Sequence, residues 1–454
     1  MVSSLPQSPR GETKTIHNLP PEVLSKIFHS MTSDEAWVRP RMTQAPLLVC
    51  NISSHWRETA LASPELWENL VVTFRDPSRV AWRMDMAKAW LARAKTRKIS
   101  LWIFFFHMIS ANPIGEIIAP LENQISVLQL TSAPIGCLQS LFDLPERSLP
   151  LLRRLIIAFP PPHFSWARKA SVDTQIFPHL EDFSISAGWS VLSVQCLPIQ
   201  WAQLTTLRVE KAVMPLSVLC AILARCISLA SCYLTIQTKI ESHPPPPKNV
   251  ITLTHLRLLS LQLTQGFDYF LGHFSLPKVS TVLVGTNPMT TLSPVAHTLH
   301  TALASSTLRR LATSMYVEPS MLLFLLEGSP NLRELRMYYD AEVIRALTLT
   351  SQSAQLIQHV SSLTIVLGAG GGTASAVSQI AQMVSMRWFR SQDLGRLRKL
   401  TLCTPKGHTE ADSAGWDVAL GPLETAFARG LELQVRSGND LSFEEGDLAL
   451  ETED

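Results

Sequence analysis

The sequence predicts an α/β fold, in which a small helical module is followed by a solenoid of short repeats with a parallel sheet on its concave face. Three observations support this prediction. A six-residue apolar pattern recurs along most of the chain, the segments between its copies have helical spacing, and apolar residues make up 46% of the 454 residues. So much apolar surface requires a large buried core and excludes a disordered or fibrous protein.

The recurring pattern is Φ-x-x-Φ-x-Φ, where Φ is mostly leucine. Its last three residues alternate, which is typical of a strand that buries every second side chain. The copies occupy residues 125–130, 152–157, 180–185, 204–209, 229–234, 256–261, 279–284, 308–313, 332–337, 360–365 and 397–402. The first nine intervals between copies are 23 to 29 residues long, and the last is 37. We interpret Ile99, Trp102 and Phe104 as a degenerate opening copy.

Between the copies, apolar residues recur with the period of a helix, most clearly over residues 219–226, 295–303 and 322–326. A unit of one strand and one helix cannot bury its apolar face alone, so consecutive units must stack. Residues 99–437 are therefore predicted to form the solenoid. This region resembles leucine-rich repeats, although most copies lack the Asn or Cys that follows the strand in that family. A generic α/β domain with leucine-rich strands is the alternative.

The segments outside the repeats differ in composition. Residues 1–15 are polar and are predicted to be disordered, and the acidic tail, residues 438–454, is predicted to be mobile. Residues 71–98 are predicted to form a basic linker helix, because residues 75–98 hold eight basic and two acidic side chains. Its expected core face consists of Trp82, Met86, Trp90 and Ala94.

Runs rich in proline or glycine interrupt the chain at residues 160–162, 243–247 and 368–372. Each run falls between two copies of the pattern, where insertions in repeat proteins form loops. We therefore predict loops rather than domain boundaries at these positions.

Charge, cysteine content and hydropathy exclude several classes of protein. The 39 basic and 37 acidic residues give a net charge of +2, so no nucleic-acid or anionic-membrane partner is expected. Seven cysteines without a CxxC pair favour a reducing compartment over a secreted disulfide scaffold. The N-terminus lacks the apolar segment of a signal peptide, and the most apolar run, residues 99–109, is shorter than a membrane helix of ~20 residues. We expect a cytoplasmic or nuclear protein.

Residues 16–70 have the spacing of short amphipathic helices. Pro20 and Pro21 suit the first turn of a helix, where the missing N–H group is not needed. The apolar residues that follow form one broad stripe: Val23, Leu24, Ile27, Phe28 and Met31.

A second helix is predicted over residues 45–61, and a short third turn presents Leu66 and Trp67. One side of the second helix carries Leu48, Ile52, Trp56 and Thr59. A helical unit of this size is marginally stable alone and is expected to pack on a partner.

Three segments of this module carry a resemblance. Residues 19–28, LPPEVLSKIF, resemble the opening helix of an F-box, and residues 47–57, LLVCNISSHWR, resemble its closing V-C-x-x-W-R helix. Residues 60–67, ALASPELW, are similar to the F-box-like families of mushroom-forming fungi, in which degenerate leucine-rich repeats also follow. Two features depart from the family: Ser53 occupies the usual Cys position, and the insert over residues 32–43 is longer than in the compact form.

The resemblance implies a non-catalytic substrate receptor of a Skp–cullin–F-box ubiquitin ligase. Its N-terminal helices would bind a Skp-type adaptor, and its repeats would bind a protein substrate. The residues expected at the adaptor are Leu19, Pro20, Pro21, Leu24, Ile27, Phe28, Leu48, Ile52 and Trp56. The alternative is a repeat scaffold without a ligase role, in which residues 16–70 only cap the end of the solenoid.

The substrate is expected on the concave face of the sheet, where the residues between the inward-pointing positions of each copy are presented. Arginine and tyrosine are enriched at binding hot spots. We therefore expect substrate contacts at five positions: Arg208, Tyr233, Arg310, Arg336 and Tyr338. Arg208 should lie beside Tyr233, and Arg336 beside Tyr338. A simple cross-strand pair of Arg310 with Glu334 is the alternative at that position.

No catalytic residue, metal site or cofactor is predicted. The glycine run that ends at Thr373 follows a predicted strand, but it has threonine at the third glycine position and lacks a Walker lysine. His297 and His300 are three residues apart on a predicted helix, without a Cys, Asp or Glu nearby to complete a zinc site. Three cysteines are expected to be buried structural thiols: Cys220, Cys226 and Cys232.

Overall fold

The computed structural model describes residues 19–33, 37–106, 112–158, 176–186, 197–213, 215–237, 250–263, 271–286, 308–313, 319–348, 359–367, 374–390, 397–404 and 415–437. Two compact units divide the chain, Met1–Pro161 with Ala170–Leu180 and Pro162–Lys169 with Glu181–Asp454. Several predicted features lie outside the described residues: segment 1–15, the runs at 160–162, 243–247 and 368–373, the stripe over 295–303 with its two histidines, and tail 438–454.

The first unit begins with three helices, α1 (Pro21–Ser33), α2 (Leu47–Cys50) and α3 (Ser54–Ala62), and a 3₁₀ turn over Pro64–Leu66. The prediction of one helix over residues 45–61 is therefore wrong, because the helix is interrupted between α2 and α3. Ser53 is extended there, and its hydroxyl accepts a hydrogen bond of 3.1 Å from the backbone N–H of Trp56. A serine in this role satisfies a free N–H group and starts a new helix.

Parallel strands alternate with helices in the rest of the first unit. In chain order these are β1 (Asn69–Phe74), α4 (Val80–Leu91), β2 (Ile99–Phe105), α5 (Pro113–Ile118), β3 (Ile125–Thr131), α6 (Ile135–Phe142) and β4 (Arg154–Ala158). Short 3₁₀ turns cover Pro77–Arg79, Ala92–Ala94 and Ala119–Leu121. The strands pair in sequence order from β1 to β4.

The second unit repeats the same arrangement. Its elements are β5 (Asp182–Ser186), β6 (Thr206–Val213), α7 (Leu216–Leu223), β7 (Ser231–Gln237), β8 (Ile251–Thr252), β9 (Leu258–Leu263), β10 (Phe274–Ser275), β11 (Thr281–Thr286), β12 (Arg310–Thr313), α8 (Pro319–Glu327), β13 (Glu334–Tyr338), α9 (Ala341–Leu347), β14 (Ser362–Val366), α10 (Ala374–Arg390), β15 (Lys399–Thr404), α11 (Trp416–Leu420), α12 (Glu424–Phe427) and β16 (Glu432–Ser437). Two 3₁₀ turns cover Trp201–Gln203 and Gly421–Leu423. From β5 to β16 the strands pair in parallel in chain order, except that β8 and β10 form a separate parallel pair.

The register of the strands follows the predicted repeat. The middle apolar residue of each copy pairs with the middle residue of the next, as in the series Leu207, Cys232, Leu259, Val282, Leu311, Leu335, Leu363 and Leu400. All of these side chains are buried. In the eleven copies from residue 125 onwards, every other Φ position is buried as well, apart from the half-buried Leu397. The predicted α/β fold of parallel repeated strands is therefore confirmed within each unit.

The opening copy of the pattern was assigned one residue out of register. Leu101 and Ile103 are buried and pair with Leu128 and Leu130, whereas Trp102 points to the other face. The cause is an irregularity between Ile99 and Ser100, where the pairing skips one residue of β3. Such a bulge leaves one residue without a partner and shifts every later side chain of the strand relative to its neighbour.

The predicted linker helix is shorter than residues 71–98. β1 covers the first residues of that segment, because the sequence NLVVTF is rich in β-branched and apolar residues. The helix α4 buries Val80, Met84, Ala87, Trp90 and Leu91. Trp82, a predicted core residue, is 60% exposed. β16 adds a strand after the last predicted copy, and β1 adds one before the first.

Candidate functional site

The helix α1 has two different apolar faces. Leu24 and Phe28 are completely buried, and the ring of Phe28 contacts that of Trp56 at 5.1 Å between centroids. Trp56 itself is 7% exposed. These three predicted adaptor residues therefore belong to the core of the first unit, and they hold α1 and α3 together rather than offering a surface to a partner.

The flank of α1 next to this buried face remains open. Val23, Ile27 and Met31 are 42%, 36% and 48% exposed, and they follow one another at intervals of four residues. Side chains four apart lie above one another on a helix, so these three form one row, which we call the α1 stripe. Among the other predicted adaptor residues, Ile52, Pro20 and Pro21 are exposed, whereas Leu19 and Leu48 are half-buried.

Polar contacts fix the position of α1 on the rest of the unit. The hydroxyl of Ser25 donates to Oε1 of Glu65 at 2.7 Å, and it lies 2.9 Å from the hydroxyl of Ser63. Burial raises the pKa of Glu65, but the hydrogen bond from Ser25 and the nearby positive charges outweigh it, so the pKa is lowered. Ser25 is part of the segment that resembles an F-box, and here it anchors the buried side of the helix.

The module packs directly on the first repeats. The indole N–H of Trp67 donates to the carbonyl of Ala60 at 2.9 Å, and its ring meets Trp90 of α4 at 4.7 Å. The backbone N–H of Val71 in β1 donates to the carbonyl of Val38 at 2.8 Å. The segment that carries Val38 therefore satisfies part of the edge of the first strand, which would otherwise present unpaired backbone groups.

A second candidate surface lies on the outer face of the second unit, which we define as the side of its strands opposite the buried Φ residues. Arg208 and Tyr233 pair across β6 and β7, and the guanidinium of Arg208 lies 4.1 Å from the centroid of the Tyr233 ring. Both side chains are half-buried. The predicted proximity of these two residues is confirmed.

The other predicted substrate residues differ in accessibility. Arg310 and Tyr338 are half-buried, and Arg310 is in register with Glu334, as the cross-strand alternative requires. Arg336 is only 8% exposed, so it is buried rather than open in this structure. It lies between Ala312 and Thr364 in the register, and both of these are buried too. Burial of this part of the outer face is set by tertiary packing, which the local pattern does not encode.

The sequence analysis missed an aromatic cluster on the outer face of the first unit. Trp37 contacts Trp102 at 5.8 Å, Trp102 contacts Phe104 at 6.4 Å, and Phe104 contacts Phe106 at 4.5 Å. We call these four residues the aromatic face. Arg75 lies 4.5 Å over the ring of Phe106, which is 47% exposed. The available signal was the run at residues 99–106, which is apolar at both alternating sets of positions.

The charged side chains at the outer positions of β1–β4 are all basic. The outer positions of β1–β4, as fixed by the register, carry no acidic side chain, and Arg154 on β4 is exposed. Trp102 is held in place by a hydrogen bond of 2.9 Å from its indole N–H to the hydroxyl of Thr131. Ordered aromatic rings beside arginines are the composition typical of protein-binding hot spots.

Three cysteines of the second unit lie in its core. The three predicted structural thiols, Cys220, Cys226 and Cys232, are buried, as expected. Burial raises the pKa of Cys220 and of Cys226 to about 12 and that of Cys232 well above its usual value, so all three stay protonated at neutral pH. Within the ranges that the structure describes, no group of three or more His, Cys, Asp or Glu could hold a metal ion.

Among the described helices, none has the length and apolar content required to cross a bilayer. No protein-family model matches the chain, and no curated protein is similar enough to count as a relative.

Proposed function

We propose that this chain is a substrate-recognition subunit of a Skp–cullin–F-box ubiquitin ligase. The observation that carries the proposal is the α1 stripe: Val23, Ile27 and Met31 stay exposed on the helix that resembles the first helix of an F-box. Three large apolar side chains in one row are costly to leave in water, and burying the exposed part of each in an interface contributes somewhat less than half of the ~1.5–3 kcal/mol gained by a fully exposed side chain. A Skp-type adaptor would cover this row.

The buried residues take a different role in this proposal. The helix α1 is supported from inside by Leu24, Phe28 and Trp56. The adaptor would therefore contact only the exposed members of the predicted set: Ile27, Ile52, Pro20 and Pro21. Val23 and Met31 join them. Ser53 does not weaken this arrangement, because its hydroxyl caps α3 at the position where the family has cysteine.

The repeats would hold the protein substrate, and chemistry would be left to other subunits of the ligase. Two partly exposed surfaces suit this role, the Arg208–Tyr233 pair and the aromatic face. Arg336 is not part of this proposal, since it is buried. A role in this ligase corresponds to a location in the cytoplasm or the nucleus.

The experiment is capture of a Skp-type adaptor by the full-length chain. A double variant, Ile27→Asp with Met31→Asp, places two charges in the α1 stripe and should abolish capture. Lys26→Asp is the matched control, because Lys26 is exposed on the same helix but lies about 100° around it from Ile27. Undiminished capture by the double variant, or equal loss in the control, contradicts the proposal.

A repeat scaffold without a ligase role is the second candidate, and the contact between Val38 and Val71 favours it. This hydrogen bond covers the edge of β1, as a solenoid cap must. The two roles use different surfaces, since the α1 stripe is not needed for capping. Deleting residues 16–70 does not separate them, because the cut removes Trp67 from the core and severs β1. The point variants of the α1 stripe do separate them.

A further inference from the structure

An open surface pocket of about 220 Å³ lies where the strands of the second unit begin, and the described residues that line it are exposed: Arg309, Asn331, Arg333 and His359. These residues come just before β12, β13 and β14. We propose that this pocket, which we call the arginine pocket, binds a single phosphate group. The proposal is independent of the ligase role, since it uses none of the surfaces described above.

The repeat explains why two arginines meet here. The residue after the first Φ occupies equivalent positions in successive repeats, and from β9 to β15 it is Arg257, Ser280, Arg309, Arg333, Ser361 and Arg398. Only Arg309 and Arg333 precede adjacent strands, which lie about 4.8 Å apart in a sheet. The repeat geometry therefore places these two guanidinium groups next to each other, and Arg257 and Arg398 lack such a neighbour.

The backbone beneath the two arginines is firmly held. The carbonyl of Arg309 accepts hydrogen bonds from the N–H groups of Arg333 and Glu334, at 2.7 and 3.0 Å. The carbonyl of Arg333 accepts one from the N–H of Ser361 at 2.7 Å and one from its hydroxyl at 3.2 Å. Both side chains thus start from fixed points, which lowers the conformational entropy lost when a ligand binds.

The pocket has an excess of positive charge. Among the residues that the structure describes, its lining offers two guanidinium groups, one amide and one imidazole and includes no carboxylate. The ion pairs formed among the described residues do not involve Arg309 or Arg333. Glu334, which follows Arg333, is in register with Arg310 on the outer face. Two like charges on neighbouring strands repel each other, and an anion bound between them would replace this repulsion by attraction to both groups.

The size and the donors of the pocket select the class of anion. Pockets for small molecules typically measure about 300–1,000 Å³, so 220 Å³ suits a single group rather than a nucleotide. Each guanidinium group can donate two parallel hydrogen bonds to the oxygens of one phosphate. A phosphate carries close to two negative charges and three or four acceptor oxygens, which match two arginines and an amide. A carboxylate offers one charge and two oxygens.

Calorimetric titration of the full-length chain at constant ionic strength tests the proposal. The probes are sodium phosphate, O-phosphoserine, serine and sodium acetate. Phosphate and O-phosphoserine should bind at least about ten-fold more tightly than acetate and serine, because a carboxylate carries less negative charge than a phosphate and can accept paired hydrogen bonds from only one of the two arginines. Tighter binding of O-phosphoserine would identify a phosphorylated side chain as the source of the group, and tighter binding of phosphate would identify the free ion.

Variants assign the binding to the pocket. Arg309→Ala and Arg333→Ala should each weaken phosphate binding by about ten-fold or more. Arg257→Ala and Arg398→Ala are the matched controls, since both residues are exposed at the same position of other repeats. Arg333→Lys keeps the charge but loses the paired N–H donors of the guanidinium group, so it should reduce phosphate affinity by an intermediate amount. This variant also keeps the test valid if Arg333→Ala fails to fold.

Three results would overturn the proposal. The first is wild-type binding of phosphate no tighter than that of acetate. The second is unchanged phosphate affinity in the double variant Arg309→Ala with Arg333→Ala. The third is a loss in the control variants as large as that in Arg333→Ala. Thermal melts followed by circular dichroism establish that each variant is folded before its titration is interpreted.

Discussion

Leu400 and Leu433 provide a direct test of the repeat register, because they are the same residue type at the same position of adjacent strands. They pair across β15 and β16. Leu400 is completely buried and also pairs with Leu363 on its other side. Leu433 is half-buried, and β16 stands at the end of the order of strands. Truncation of each to alanine should therefore destabilise the protein by different amounts.

The expected difference follows from burial. Leu400→Ala removes three carbon atoms from the core, which costs about 2.4 kcal/mol at ~0.8 kcal/mol each, and the cavity left behind raises the cost within a range of about 2–5 kcal/mol. Leu433→Ala removes atoms that are already partly in water, next to an open side where neighbours can relax. Its cost should be about half as large or less.

Hydrogen exchange of the amides in β14, β15 and β16 is the appropriate measurement, since a repeat protein can open locally instead of in one step. The midpoint of urea denaturation gives a second, global value for each variant. Leu400→Ala should accelerate exchange on both sides of β15, whereas Leu433→Ala should act mainly on β16. Equal effects of the two variants, or a larger effect of Leu433→Ala, would show that the register is wrong.

Three further predictions concern the candidate surfaces and the core. Ser53→Ala should lower the free energy of unfolding by about 1 kcal/mol in denaturant titrations because the cap of α3 is lost, and Ser53→Asp, which can still cap, should lower it less. Cys226 and Cys232 should react with a thiol reagent at pH 8 only after denaturation, since burial keeps both thiols protonated; rapid labelling of the native protein would contradict this. The double variant Arg208→Ala with Tyr233→Ala should lose bound protein partners in affinity purification while it retains the adaptor. An unchanged set of partners would show that this pair does not bind the substrate.

The repeats were predictable from the sequence because the alternation of apolar residues in a strand is a local property. Whether a residue such as Leu259 points into the core depends on its position relative to near neighbours in the chain, and its copies recur at similar intervals. Stacking of such units leaves the parallel arrangement as the way to bury them all. The positions of Arg208 and Tyr233 followed in the same way, since equivalent positions of adjacent copies become neighbours in the sheet.

The candidate sites were less predictable, since exposure depends on residues that are distant in the sequence. The apolar stripe of the first helix gave no sign that Leu24 and Phe28 would be inside while Ile27 would be outside. That choice is made by Trp56, which packs on one side of α1 only. Likewise, nothing within its own copy distinguishes the buried Arg336 from the more accessible Arg208.

By itself, the sequence determined the spacing of the leucine-based copies, the direction in which their side chains alternate and the helical character of the N-terminal module. The tertiary structure decided which apolar residues remain in water, where the bulge before Ser100 shifts the register, and that Arg309 and Arg333 become neighbours beside one pocket. The physical reason is that secondary structure follows from contacts between residues a few positions apart. A surface, in contrast, consists of residues brought together from separate repeats, and its exposure is fixed only when the whole core has packed.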